Sequence, residues 1–150
     1  MFNKNFNLTV DEFLTPEECN SIIEKYNTML TSGEDAHLNY EKCDIENDEN
    51  LIAILNKRLP IVTDKKYNPG KSYDRWHSEH SLRNPHRILN IIVYLSDHNC
   101  GTKFYNGETI FSKTGRLTIF PSYFTHTHKG EVCPENKPRY ILAGYYNFKQ

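Results

Sequence analysis

The sequence predicts an α+β fold, mainly β with helices at the N-terminal end. Three observations carry that expectation. Helix-start signals and helical apolar spacing occur only before Ile61. From Ile61 onward the apolar period changes to two. Every glycine except Gly33 falls at Gly70 or later, where turns must separate short strands. The 150 residues suit one domain, with helical support over about 1–60 and a β core over about 61–150.

In chain order, Leu8 to Leu14 reads as a short strand or extended lead. Thr15-Pro16-Glu17-Glu18 then supplies an N-cap, a proline at the first helical position and a glutamate at the third. Cys19, Ile22, Ile23, Tyr26 and Met29/Leu30 follow at helical spacing, so a helix starts here. The polar, acidic stretch from Thr31 to Asn50 reads as a loop. A second helix is expected from about Glu49 to Leu59, stopped by Pro60. Ile61 to Tyr67 is a strand, Pro69-Gly70 a turn and Ile88 to Leu95 a buried strand. Thr102 to Tyr105 and Glu108 to Phe111 flank Asn106-Gly107, a hairpin signal. Arg116 to Phe120, Phe124 to His128 and Arg139 to Asn147 complete the strands. Many short strands at regular spacing suggest a β-sandwich or small barrel.

Composition removes several function classes. Lys+Arg total 18 and Asp+Glu 19, for a net charge of -1, so no basic excess drives binding to nucleic acid or an anionic membrane. The longest apolar runs, such as Ile91 to Leu95, are too short to cross a membrane. The first residues contain no apolar leader, and Cys19, Cys43, Cys100 and Cys133 form no CxxC pair. Four reduced thiols in a cytoplasmic protein are the expectation. The isolated cysteines also argue against a zinc protein, because structural zinc sites usually take closely spaced ligand pairs. The 10 Tyr, 8 Phe and 1 Trp are expected mainly to fill the core.

Six of the seven histidines lie between His77 and His128. Within Trp76-His77-Ser78-Glu79-His80, His77 and Glu79 are two apart, so on an extended segment both point to one face. Imidazole plus carboxylate with open positions suits a first-row metal such as Fe(II), and a second histidine would complete a facial triad. Thr125-His126-Thr127-His128 offers two, sharing one strand face. An HxE triplet alone is a weak signal, and both histidines also read as residues of a half-exposed strand. His37, His80, His86 and His98 read as surface residues, and Trp76 as core or pocket wall.

The order of these motifs resembles the Fe(II)/2-oxoglutarate-dependent dioxygenases, specifically the prolyl-4-hydroxylase-like branch and its small viral and bacterial members. Trp76-His77-Ser78-Glu79, Thr125 to Gly130 and the opening Phe13 to Cys19 carry the likeness. The resemblance implies a double-stranded β-helix (a jelly roll, cupin-like) and Fe(II) held by His77, Glu79 and His128. His128 precedes Lys129-Gly130 as in the family's His-x-Gly, with His126 as the alternative ligand. Arg139 matches the basic anchor for the distal carboxylate of 2-oxoglutarate, a role that suits a planar guanidinium. Tyr67, Tyr94 and Asn90 fall where pocket residues stand. Cys100-Gly101-Thr102-Lys103-Phe104 lacks the acidic residue that many relatives carry there.

The implied activity is hydroxylation of a substrate C–H bond, a peptidyl proline among the options, using O2 and releasing succinate and CO2. Ascorbate is an optional reductant. Peptides, small metabolites and nucleobases are all open as substrates. The alternative is a non-catalytic cupin-like metal- or ligand-binding module. A virus-encoded protein of the host cytoplasm is compatible with this type.

Overall fold

The computed structural model describes residues 2–32, 40–45, 48, 49, 51 and 59–149. Helix α1 (Pro16–Asn27) begins at the predicted cap. Thr15 Oγ1 accepts from the Glu18 N–H at 3.2 Å, and the Glu18 carboxylate accepts from the Thr15 N–H at 2.8 Å. This reciprocal pair satisfies two donors that a helix start leaves open. Cys19, Ile22 and Tyr26 form the buried stripe.

The described residues form ten strands, seven of them from Ile61 onward, where the period changes. They are β1 (Leu8–Val10), β2 (Thr31–Ser32), β3 (Glu41–Asp44), β4 (Ile61–Tyr67), β5 (Arg87–Tyr94), β6 (Gly101–Phe104), β7 (Thr109–Phe111), β8 (Leu117–Pro121), β9 (His128–Gly130) and β10 (Arg139–Asn147). A seven-stranded antiparallel sheet runs β1-β8-β5-β10-β4-β3-β2, and a three-stranded one runs β7-β6-β9. The β6–β7 hairpin turns at Asn106-Gly107, where Gly107 takes φ 92°, a region other residues enter only with strain.

The large sheet has two unlike faces. One packs against α1 and gathers Ile22, Ile91, Val93, Leu117, Ile119 and Leu142 into an aliphatic core. The other faces the small sheet, where its Tyr67, Tyr94, Phe120 and Ile141 pack against Phe104 and Ile110 of β6 and β7. Strand alternation sorts them: Leu142 goes to the helix side, while Ile141 goes to the inter-sheet side.

Five expectations are corrected. Thr31 to Asn50 is not all loop, because β3 pairs with β4 and buries Cys43 between partly buried Lys42 and exposed Asp44, an alternation too short to read in sequence. Phe124 to His128 is not one strand. Phe124–His126 is a 3₁₀ turn, with the Thr127 hydroxyl donating to Phe124 O at 2.9 Å, and β9 starts only at His128. Trp76 is 42% exposed and lies against Tyr105 and Lys129 outside the pocket. His98 is buried, not on the surface. Cys100 and Cys133 are joined as a disulfide, leaving Cys19 and Cys43 as the free thiols. The fold supplies the proximity that a spacing of 33 residues hides. The expected second helix lies, for most of its length, outside the described residues, as does His37.

Candidate active site

The inter-sheet space opens into a cavity of about 640 Å³. Two histidines distant in sequence meet on its wall because their backbones pair. The His77 N–H donates to His128 O at 3.0 Å and the His128 N–H to His77 O at 2.9 Å, an isolated antiparallel bridge at the first residue of β9. Their rings stand 4.4 Å apart between centroids.

Each ring is fixed through its Nδ1. His77 Nδ1 meets Arg75 O at 2.8 Å and His128 Nδ1 meets His126 O at 2.9 Å. A carbonyl only accepts, so both Nδ1 atoms carry the proton and both Nε2 atoms keep a lone pair. Glu79 Oε1 lies 3.4 Å from His77 Nε2. Ligand atoms of His77, Glu79 and His128 all fall within 4.8 Å of one another.

His126 is directed elsewhere. Its Nε2 bonds to Asn5 O at 2.7 Å and its Nδ1 to Thr125 Oγ1 at 2.9 Å. The 3₁₀ turn breaks the shared strand face, so His126 and His128 diverge.

The charges favour a cation. Burial, then the neighbouring His77, pushes His128 down to about 4, leaving it neutral at ordinary pH. Burial opposes ionisation of Glu79. Close contact with the His77 ring and the positive Lys65 overcome it and hold the carboxyl at about 2. Arg87 Nη1 donates to Glu79 Oε2 at 2.6 Å while its guanidinium stacks 3.6 Å over the Tyr145 ring. One carboxylate oxygen is thus held and the other turns toward the histidines.

Arg139 occupies the deep end, 3% exposed. Its Nη1 donates to Gly101 O at 3.2 Å, its Nη2 to Ser72 Oγ at 3.2 Å, and its guanidinium lies 4.7 Å over the Tyr67 ring. Its Nε has no partner. Gly130 makes room, since a Cβ there would press on Ser72 Oγ and stand 3.2 Å from Arg139 Nη2. The Tyr94 hydroxyl pairs with Thr102 Oγ1 at 2.6 Å, and burial pushes it up to about 12. Asn90 Oδ1 accepts from the Ser122 hydroxyl at 2.9 Å, while its buried Nδ2 lacks a partner. All seven site residues expected from sequence therefore line one cavity.

Sequence reasoning missed Lys65, Thr102 and Ser72. Lys65 carried a signal: it stands two before Tyr67 on a strand, hence on the same face. Arg87 reads from sequence, with Arg75 and Arg83, as a solvated rim near the metal segment; instead it reaches Glu79 across the turn at Ser81–Asn84.

The sequence model of the 2OG-Fe(II) oxygenase superfamily matches residues 64–147. The chain belongs to that superfamily. It is therefore a 2-oxoglutarate-dependent dioxygenase whose chemistry uses Fe(II), 2-oxoglutarate and O2. This displaces the alternative of a non-catalytic cupin-like module. The acidic residue missing around Thr102 does not tell against it, since Thr102 supports Tyr94. No curated protein matches the chain.

Solved structures share its fold. A viral collagen prolyl hydroxylase from Paramecium Bursaria Chlorella virus-1, bound to 2OG, has a TM-score of 0.75 at 16% identity, covering 100% of this chain and 99% of that one. A Trichoplax adhaerens prolyl hydroxylase, in complex with a hypoxia inducible factor peptide fragment, has a TM-score of 0.74 at 15% identity, covering 97% and 85%. A Pseudomonas putida prolyl-4-hydroxylase has a TM-score of 0.69 at 16% identity, covering 96% and 93%. These likenesses establish the jelly-roll fold with its helical support. No helix among the described residues is long and apolar enough to cross a membrane.

Proposed function

We propose that His77, Glu79 and His128 hold the Fe(II), that Arg139 anchors the distal carboxylate of 2-oxoglutarate, and that the substrate is a peptide side chain, with proline the first choice. One observation carries the reading: two oriented Nε2 lone pairs and a carboxylate converge in the cavity that also contains the buried, incompletely paired Arg139. The donor set fits the metal, since imidazole and carboxylate on one face with open positions suit non-haem Fe(II). When bound, iron and cosubstrate supply the oxidation: O2 is consumed, 2-oxoglutarate becomes succinate and CO2, and a C–H becomes C–OH.

The chain's own residues position the reactants and shield them from water. The Arg75 and His126 carbonyls set the ligand tautomers, and Arg87 restrains Glu79. Arg139 and the Tyr94 hydroxyl offer donors to a carboxylate, with Tyr67 beneath the guanidinium and the Asn90 amide nearby. Tyr40, Tyr73 and Tyr145 give the wall flat faces for a proline ring. The peptide choice is supported by the hydroxylase crystallised with a peptide. Lys65, Arg83 and Lys42 line the same cavity, where Glu79 is the one carboxylate among the described residues, so acidic peptides are favoured over basic ones.

Succinate release measured across peptide, nucleotide and metabolite pools tests this. Turnover stimulated by proline-containing peptides is the expected result, and stimulation by metabolites alone would overturn the substrate choice. Anaerobic Fe(II) plus 2-oxoglutarate should give a visible charge-transfer band that Glu79→Ala abolishes.

A further inference from the structure

A second cluster of ligating side chains lies behind Arg139, away from the cavity. The loop after β5 contributes His98 and Cys100, and the loop between β9 and β10 contributes Cys133 and Glu135. The ligand atoms of His98, Cys133 and Glu135 lie within 4.8 Å of one another. Cys100 brings a second sulfur, bonded to that of Cys133.

The histidine is the telling member. Its side chain is 0% exposed, and neither ring nitrogen makes a hydrogen bond. Its Nδ1 stands 3.4 Å from Glu135 Oε2, which is also without a hydrogen bond. A buried imidazole with two idle nitrogens is costly unless something occupies it. The backbone already presents both partners. The His98 N–H donates to Ser112 O at 3.0 Å, and the Asn99 N–H holds Glu135 Oε1 at 2.7 Å.

We propose that, with the disulfide reduced, His98, Cys100, Cys133 and Glu135 form a tetrahedral site for Zn²⁺, separate from the iron site. One nitrogen, two thiolates and one carboxylate oxygen are ligand types zinc takes. Reduction consumes two thiol equivalents, which become a disulfide, and leaves two cysteine thiols. Metal binding then releases their two protons. Two thiolates and a carboxylate leave the zinc site one negative charge. The Arg139 guanidinium, with Nη1 3.7 Å from Cys100 Sγ, faces that charge.

The site would clip together the two loops that flank Arg139. Oxidised, the same loops are joined by the disulfide; reduced, by the metal.

The test uses the full chain carrying His128→Ala to silence the iron site, stripped of metal and treated with excess phosphine. Titration with Zn²⁺ against a chromogenic chelator should give one tight equivalent. Co²⁺ should give a thiolate charge-transfer band with tetrahedral d–d bands. His98→Ala and Cys133→Ser should each lower zinc affinity by more than the roughly 10- to 100-fold typical of outer-shell changes. Glu135→Gln, a conservative change at a partly exposed position, should weaken zinc with the far-ultraviolet circular dichroism unchanged. Absence of tight zinc, a cobalt spectrum without the thiolate band, or a Cys100–Cys133 bond that survives excess phosphine in the folded chain would each overturn the proposal.

Discussion

The two faces of the large sheet are built from the same strands and behave as different materials. Toward α1, β5, β8 and β10 present Ile91, Val93, Leu117, Ile119 and Leu142, with little polar chemistry apart from Asp64. Toward the small sheet the same strands present Asn90, Tyr94, Phe120, Arg139 and Tyr145, all bordering the cavity. A one-residue step along a strand exchanges a packing role for a chemical one. The helix-side face therefore sets stability and the cavity face sets binding, so substitutions on the two should separate cleanly.

The sharpest test of the cavity face is His128→Ala. Loss of an iron ligand should abolish succinate release and the charge-transfer band, while His126→Ala, whose ring bonds to Asn5 O, should retain both. The reverse order would show that the 3₁₀ turn has been misread. Arg139→Ala should come next. Truncating one partner of a buried charged pair costs about 2–5 kcal/mol, so the KM for 2-oxoglutarate should rise roughly 30- to 5000-fold with the fold retained. An unchanged KM would place the anchor elsewhere.

On the helix side, Leu142→Ala should lower unfolding free energy by about 2–5 kcal/mol in urea, with KM for 2-oxoglutarate unaltered. Asp64 breaks the aliphatic pattern. It is 1% exposed, neither carboxylate oxygen has a hydrogen bond, and burial pushes its pKa up to about 7. A carboxyl raised above its unfolded value favours folding when protonated. Its contribution is therefore full below pH 3.8 and is lost as pH climbs to about 7, at about 1.4 kcal/mol per pH unit. Asp64→Asn should remove that slope from the pH–stability profile, and a persistent slope would assign it to another group. Smallest of all, Thr15→Ala should cost about 1 kcal/mol through the lost cap, read as a modest fall in Tm.

What could be read from sequence followed the same division. The start of α1 and both ends of β4 were legible because a capping box and a run of extended residues between Pro60 and Pro69-Gly70 are local signals. His77 and Glu79 were legible because a spacing of two defines a face. Choosing His128 over His126 needed the family's His-x-Gly, since both candidates satisfied the spacing rule. Illegible were the features created by chain crossings: Arg87 on Glu79, the Cys100–Cys133 bond, the burial of His98, and β3 as a paired strand. Each depends on segments that turn back on one another, which no local period encodes.

The backbone bridge between His77 and His128 also has a kinetic consequence. It closes a long stretch of chain, and its two imidazoles converge only once the strands on both sides have docked. Such non-local closure comes late, after its loop entropy has been overcome. Iron would then find no assembled site in the folding transition state. Its binding should slow the unfolding limb of a chevron plot and leave the refolding limb where it is.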